Sequence, residues 1–386
     1  MRGMRKRQRY SGDVKRAMQL VIERNPLLRA LSHIQSVVER RNTIPILSNV
    51  ELVAEGETLR LTATDLDIAL VEEVPANVTT AGGTTVPAHT LHDIIRKFPD
   101  GAELSLALDE ERLVLRGGGA RFQLATLPRE DFPQLAADEL PHRFSLGADV
   151  LKRLIDKTRF AISTEETRYY LNGIYFHVAE ASEPLLKAVA TDGHRLARVE
   201  TAMPEGAAGM PGVIVPRKTV AELRKLVDEY DGSIAVSLSD TRIRFAFDSA
   251  VLTSKLIDGT FPDYERVIPT ANDKILRVDA RLLAEAVDRV STISSEKTRS
   301  VKLTLEADRI VLSVTSPEHG TATEELAAAY QGEPLEIGFN ARYLLDILAQ
   351  IGGAEAEIRL MDATSPTIIV DPEDESALYV LMPMRV

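Results

Sequence analysis

The strongest constraint on the fold of this 386-residue chain is that it repeats itself. TVPAHTLHDIIRKF (85–98) is echoed by IVPRKTVAELRKLV (214–227) and, more faintly, by IGFNARYLLDILAQ (337–350). FQLATLPREDFPQL (122–135) returns as LTSKLIDGTFPDYERV (252–267), and the closing LYVLMPMRV takes the same place a third time. Superposing Phe132 on Phe261 sets a period of 129 residues, too long for a solenoid repeat, so each unit is a whole domain. The expected domains are 18–140, 141–270 and 271–386, preceded by a basic extension over 1–17 that no apolar segment follows.

Each unit has the same internal order. PLLRALSHIQSVVERR (26–41) sets Leu27, Leu28, Leu31, Ile34, Val37 and Val38 on one face at helical spacing. Helices of the same kind are expected over 88–97, 149–160, 217–230, 279–290 and 340–350. Between them run short alternating stretches such as TLRLTATDLDIALVEEV and SIAVSLSDTRIRFAF, which read as antiparallel strands. The expected class is α+β: three tandem homologous domains, each with two helices on antiparallel sheet.

The net charge of −12 argues at first against a nucleic-acid partner. Its distribution argues the other way. The six helical segments hold 16 Lys and Arg against 11 Asp and Glu, a net of +5, which leaves −17 elsewhere. Arg29, Arg40, Arg41, Arg96, Lys97, Lys152, Arg153, Lys157, Arg217, Lys218, Arg224 and Lys225 are expected to point outward from the helices. A chain without cysteine has no disulfide or thiolate site and suits a reducing cytoplasm. With no apolar run of about 18 residues, no membrane partner is expected.

TDGHRLA (191–197) resembles an active site, but the repeat supplies a control. The first unit has TDLDIAL at that place, with Asp65 over Asp192 and Asp67 over His194. Thr-Asp recurs and the imidazole does not, so Thr-Asp serves a strand or turn and His194 is a local addition. RGGGAR (116–121) lacks the Lys-Ser/Thr of a phosphate loop and joins two strand-like runs, which makes it a hairpin. His89 and His92 belong to a polar helix face rather than to a metal pair. No catalytic residue, metal or cofactor is expected. A non-catalytic DNA-binding ring or scaffold remains, against a non-ring scaffold or an enzyme whose site is dispersed over the domains.

TIPILSNV (43–50), TTVPA (84–88), RYYLNG (168–173), ATDGHRLA (190–197), VIVPRK (213–218), TSKLIDGTFPDY (253–264), IGFN (337–340) and MPMRV (382–386) occur in the order and spacing of one family. From Met18 to Val386 the chain resembles the β sliding clamps of bacterial DNA polymerase III. The resemblance implies the DNA clamp fold, a processivity factor, and a head-to-tail homodimer whose helices line a hole around duplex DNA. Twelve helices at ~10 Å spacing enclose roughly 28 Å of free width, enough for a hydrated duplex.

By resemblance, Arg41, Tyr169, Tyr170, Arg217 and Lys218 touch DNA, while Arg116 and Arg121 meet Glu318, Glu324 and Glu325 at the subunit junction beside Thr292 and Ile293. It also implies a groove for short peptides of the polymerase catalytic subunit, the clamp loader, other polymerases and repair proteins. The matching positions begin with Leu171, Thr191, Gly193, His194, Arg195 and Leu196. They continue with Pro262, Arg266, Val267, Asn340 and Tyr343, and end with Val380, Met382, Pro383, Met384 and Arg385.

Overall fold

The computed structural model describes residues 17–134, 139–180, 182–294 and 299–385. The basic stretch read as an extension lies, except for Ala17, outside the described residues. All six helices form, in the pairs that the repeat requires. Helix α1 (Arg24–Val37) packs on α2 (Ala88–Ile95), α3 (Ala148–Asp156) on α4 (Arg217–Asp228), and α5 (Ala280–Ser291) on α6 (Ala341–Leu348).

Contacts group the chain into two compact units, one running to Asp138 and including Ala246–Thr253, the other holding Glu139–Phe245 and Ser254–Val386. In the first, α1 buries Leu27, Leu31, Ile34 and Val37 against strands Thr58–Thr64 and Ile68–Pro75. Each such side chain contributes about 1.5–3 kcal/mol. The sequence places the end of α1 too late. Val38 adopts an extended conformation (φ −76°, ψ 121°), and its carbonyl accepts a hydrogen bond from His89 Nε2 at 2.9 Å. Arg40 and Arg41 are therefore exposed beyond the helix. His89 also meets Gln35 (2.8 Å) and His92 meets Ser32 (3.4 Å), so both histidines lock α2 onto α1 and neither belongs to a free polar face.

In the second unit, two repeats share one nine-stranded antiparallel sheet. Strand Arg195–Ala202 pairs with Asp374–Leu381, setting Arg195 opposite Leu381 and Val199 opposite Ala377. This register carries a turn from one repeat up to the last strand of the next.

The Thr-Asp turns are structural in both repeats. Thr191 Oγ1 donates to the Arg195 carbonyl (2.7 Å) and accepts from Gly193 N–H, while Asp192 Oδ1 accepts from the N–H groups of His194 and Arg195. Thr64 and Asp65 make the same four bonds around Leu66 to Ile68. Even the left-handed residue corresponds, with φ +79° at Leu66 and +88° at Gly193. RGGGAR is a two-residue hairpin with Gly118 and Gly119 at φ +50° and +86°, as a tightly twisted β-turn requires.

Several helix cations expected to face outward are committed within the chain. Arg153 and Lys157 lean on Asp374 at 3.6 and 3.1 Å, and Arg224 bridges Asp156 and Asp228 at 2.6 and 3.0 Å. Arg224 is held by two carboxylates at once, through charge-assisted hydrogen bonds, which are stronger than those between neutral groups.

Candidate docking cleft

The second unit contains an apolar cleft of about 260 Å³. Its floor is built by β-strand alternation and two short helical turns: Leu196 and Val380 come from the paired strands, Leu171 from Glu166–Leu171, and Tyr264 from Tyr264–Val267. All four are nearly inaccessible and pack in one cluster with Val189, Ile214 and Phe261. Val267 and Pro262 are exposed where they line it, and Met382 is half-buried there. Thr191 and Gly193 bring the turn to the edge. A Cβ at Gly193 would meet Arg168 Nη1 at 2.4 Å, so the glycine lets Arg168 fold over the turn.

Arg195 lines the cleft but is only 9% exposed. Nε donates to Asp192 (3.1 Å), Nη2 to the Phe160 carbonyl (2.8 Å) and Nη1 to Asp346 on α6. The guanidinium carbon sits 4.3 Å from the Tyr343 ring centre. Beneath the floor, Tyr264 Oη lies 2.8 Å from His177 Nε2. Burial raises the Tyr264 phenol and holds the His177 imidazole below its ordinary range, so this is a bond between neutral groups.

That burial has a sign. As pH falls below the ordinary histidine value, the unfolded chain takes up a proton that folded His177 resists, and stability drops until the folded value is reached. His92, also held low by burial, acts in the same sense. The melting temperature is expected to fall by a few degrees between about pH 7 and 5, and His177→Gln to reduce that fall in a thermal melt.

Of the groove positions named from the sequence, Leu171, Thr191, Gly193, Arg195, Leu196, Pro262, Val267, Val380 and Met382 line the cleft. The others surround it. His194 stacks on Tyr343 with centres 6.1 Å apart, and its carbonyl accepts from Met382 N–H at 2.9 Å. Asn340 caps α6 by accepting from Tyr343 N–H, and Met384 N–H donates to the Gly338 carbonyl at 2.7 Å. Half-buried Pro383 connects these two anchor points, Arg385 is exposed, and Arg266 pairs with Asp263 in solvent. Sequence reading missed Arg168 and Tyr264 as lining residues, and Tyr170, read there as a DNA contact, is among the lining residues as well. The RYYLNG and TFPDY motifs contained all three.

Tyr169 turns the other way. It is 53% exposed and shares an open hollow of about 540 Å³ with Arg217 and Lys218 at the start of α4. Arg41 is exposed in the first unit. Arg116 and Arg121 lie directly opposite each other, on strands Arg112–Gly117 and Ala120–Ala125, the latter at a sheet edge. Strand Gly320–Ala327 is likewise an edge and carries Glu324 and Glu325, which pair with Arg289 (2.6 and 3.1 Å) and Arg309 (3.1 Å). Glu318 is in the preceding turn, Thr292 ends α5, and Ile293 follows it.

Among the described residues no group of three or more His, Cys, Asp or Glu is arranged to hold a metal, and no helix is long and apolar enough to cross a membrane.

Repeated helix pairs packed on antiparallel sheet, with an apolar cleft in the second unit, are the architecture of a clamp. Three family models match in series: the N-terminal domain of the DNA polymerase III beta subunit over 18–136, its central domain over 145–263 and its C-terminal domain over 265–385. The chain belongs to this family, the beta sliding clamps, and its function is that of a DNA clamp and processivity factor. The beta sliding clamp of Caulobacter vibrioides (strain NA1000 / CB15N) is 58% identical over 96% of this chain and 100% of that protein. That of Escherichia coli (strain K12) is 40% identical over 95% and 100%. Among solved structures, the sliding clamp of Bartonella birtlesii bound to griselimycin superposes with a TM-score of 0.94 at 52% identity, covering 96% of this chain and 100% of that one. The Caulobacter crescentus clamp gives 0.91 at 56% identity, with the same coverage.

Proposed function

We propose that two copies of the chain close head to tail into a ring around duplex DNA, each contributing three domains, 18–140, 141–270 and 271–386. The observation that carries this reading is a pair of complementary free edges. On one, Arg116 and Arg121 face each other across two strands, a like-charge pair that an acidic partner would relieve. On the other are Glu324 and Glu325, each also paired with an arginine of its own chain, Arg289 and Arg309. An edge strand left open invites another strand, and a heterologous contact of this kind closes only if its rotation completes a circle. Thr292, Ile293 and Glu318 flank the acidic edge. Sedimentation equilibrium is expected to return twice the mass of the chain, and a single-chain mass at micromolar concentration would refute the ring.

Within the ring, Arg41, Tyr169, Tyr170, Arg217 and Lys218 approach the sugar-phosphate backbone. Two cations in the first turn of α4 are disfavoured by the helix dipole, which supports a role outside the fold. Contacts to phosphate alone do not read bases and so permit sliding.

The cleft takes short peptide segments of the polymerase III catalytic subunit, the clamp loader, other polymerases and repair proteins. Its support is the apolar floor with a methionine at its margin, a surface that adapts to different side chains. His194, Arg266, Asn340, Tyr343, Pro383, Met384 and Arg385 shape its surroundings. Replication places the protein in the bacterial cytoplasm.

A further inference from the structure

Tyr264 brings a polar atom to an otherwise apolar floor. Its ring lines the cleft, packs in one cluster with Leu171, Leu196 and Val380, and is only 4% exposed. A phenol buried to that degree needs a hydrogen-bond partner, because it has given up its bond to water. Among the described residues that partner is His177, whose Nε2 lies 2.8 Å from Oη. His177 belongs to strand Gly173–Ala179 and does not line the cleft. Its other contacts fix it in place. The imidazole stacks on Tyr175, with ring centres 4.8 Å apart and planes 20° apart, and Tyr175 stacks in turn on Phe261 at 4.7 Å and 11°. Burial keeps the ring neutral at neutral pH, so it sets no charge behind the floor.

We propose that His177 is a positioning residue for the cleft: by hydrogen-bonding the Tyr264 hydroxyl behind the floor, it keeps the polar end of that ring out of the cleft and leaves an apolar surface for a docked peptide. This rests on the reading of the cleft as a peptide site. Without His177, the hydroxyl regains a partner only by reaching solvent, and the solvent that the ring already meets is in the cleft. Turned that way, the phenol would narrow a space of about 260 Å³ and would have to be desolvated or swung back before an apolar side chain could settle. Re-ordering one such side chain on binding costs about two- to tenfold in affinity.

The experiment measures the affinity of the polymerase III catalytic subunit for the full-length protein by surface plasmon resonance, with Met382→Ala as the control for use of the cleft. His177→Leu removes the partner at similar volume and is expected to weaken binding by about five- to tenfold. His177→Gln carries an amide to nearly the place of Nε2 and is expected to retain most of the parent affinity, whereas His177→Asn, one methylene shorter, is expected to behave as Leu does. Adding Tyr264→Phe to His177→Leu is expected to recover most of the loss, since no hydroxyl remains to be seated. If His177 served only as bulk behind the floor, Gln would weaken binding as much as Leu, and the added Tyr264→Phe would deepen the loss instead of relieving it. Either result would overturn the proposal, as would parent affinity in both His177→Leu and His177→Asn. Dimer mass in sedimentation checks that each variant folds, and Asn against Gln carries the comparison if Leu does not. If Met382→Ala leaves polymerase binding unchanged, the cleft reading itself fails, and this inference with it.

Discussion

Once loaded by a clamp loader onto nicked circular duplex DNA, the protein is expected to stay with the DNA through gel filtration at about 0.5 M salt, and to be lost within minutes after one cut linearises the circle. The physical basis is the weakness of its direct attraction for DNA. The chain carries −12 overall, and Arg153, Lys157 and Arg224 on the helices are already bound to Asp374, Asp156 and Asp228. A few phosphate contacts of the remaining cations lose most of their affinity between low and moderate salt. Retention at high salt must therefore come from topology, and the lifetime on circles is expected to exceed that on linear DNA by at least about 100-fold. Equal loss from both would remove encirclement from the account.

How much of this was legible in the sequence depended on whether a feature was local and repeated. The Thr-Asp turn could be assigned because Thr64-Asp65 and Thr191-Asp192 are independent copies of one geometry, and only one copy has an imidazole beside it. The hairpin at Gly118 and Gly119 was equally local. The end of α1 was not, because it depends on His89 drawing the Val38 carbonyl away from helical geometry, a contact across 51 positions. The cleft divides in the same manner. Leu196 and Val380 were identified through family motifs, but the bond between Arg195 and Asp346 spans 151 positions and leaves no periodic trace. Nor does composition reveal which helix cations are neutralised, because Asp374 is more than 200 residues from Arg153.

The second large effect is expected at the cleft, from Met382→Ala combined with Val267→Asp. Met382 lines the cleft, and its backbone N–H is held by the His194 carbonyl. Truncation therefore removes contact surface without releasing the C-terminal segment. Met384 is less suitable, since it does not line the cleft, and its N–H is bonded to the Gly338 carbonyl. Val267 is 46% exposed, so an aspartate there costs the free protein little, but it places a charge against any apolar side chain seated on Leu171 and Leu196. Burying a methionine-sized surface contributes about 2 kcal/mol, and desolvating the new carboxylate opposes binding by at least as much. Together these correspond to a loss of affinity of about 100-fold or more for the polymerase III catalytic subunit in surface plasmon resonance. Dimer mass and retention on circular DNA are expected to remain those of the parent, because neither residue belongs to the proposed subunit edges. Unchanged polymerase affinity would show that the apolar cleft is not where the polymerase docks, and loss of the dimer in the same variant would show that the cleft and the ring are not separable.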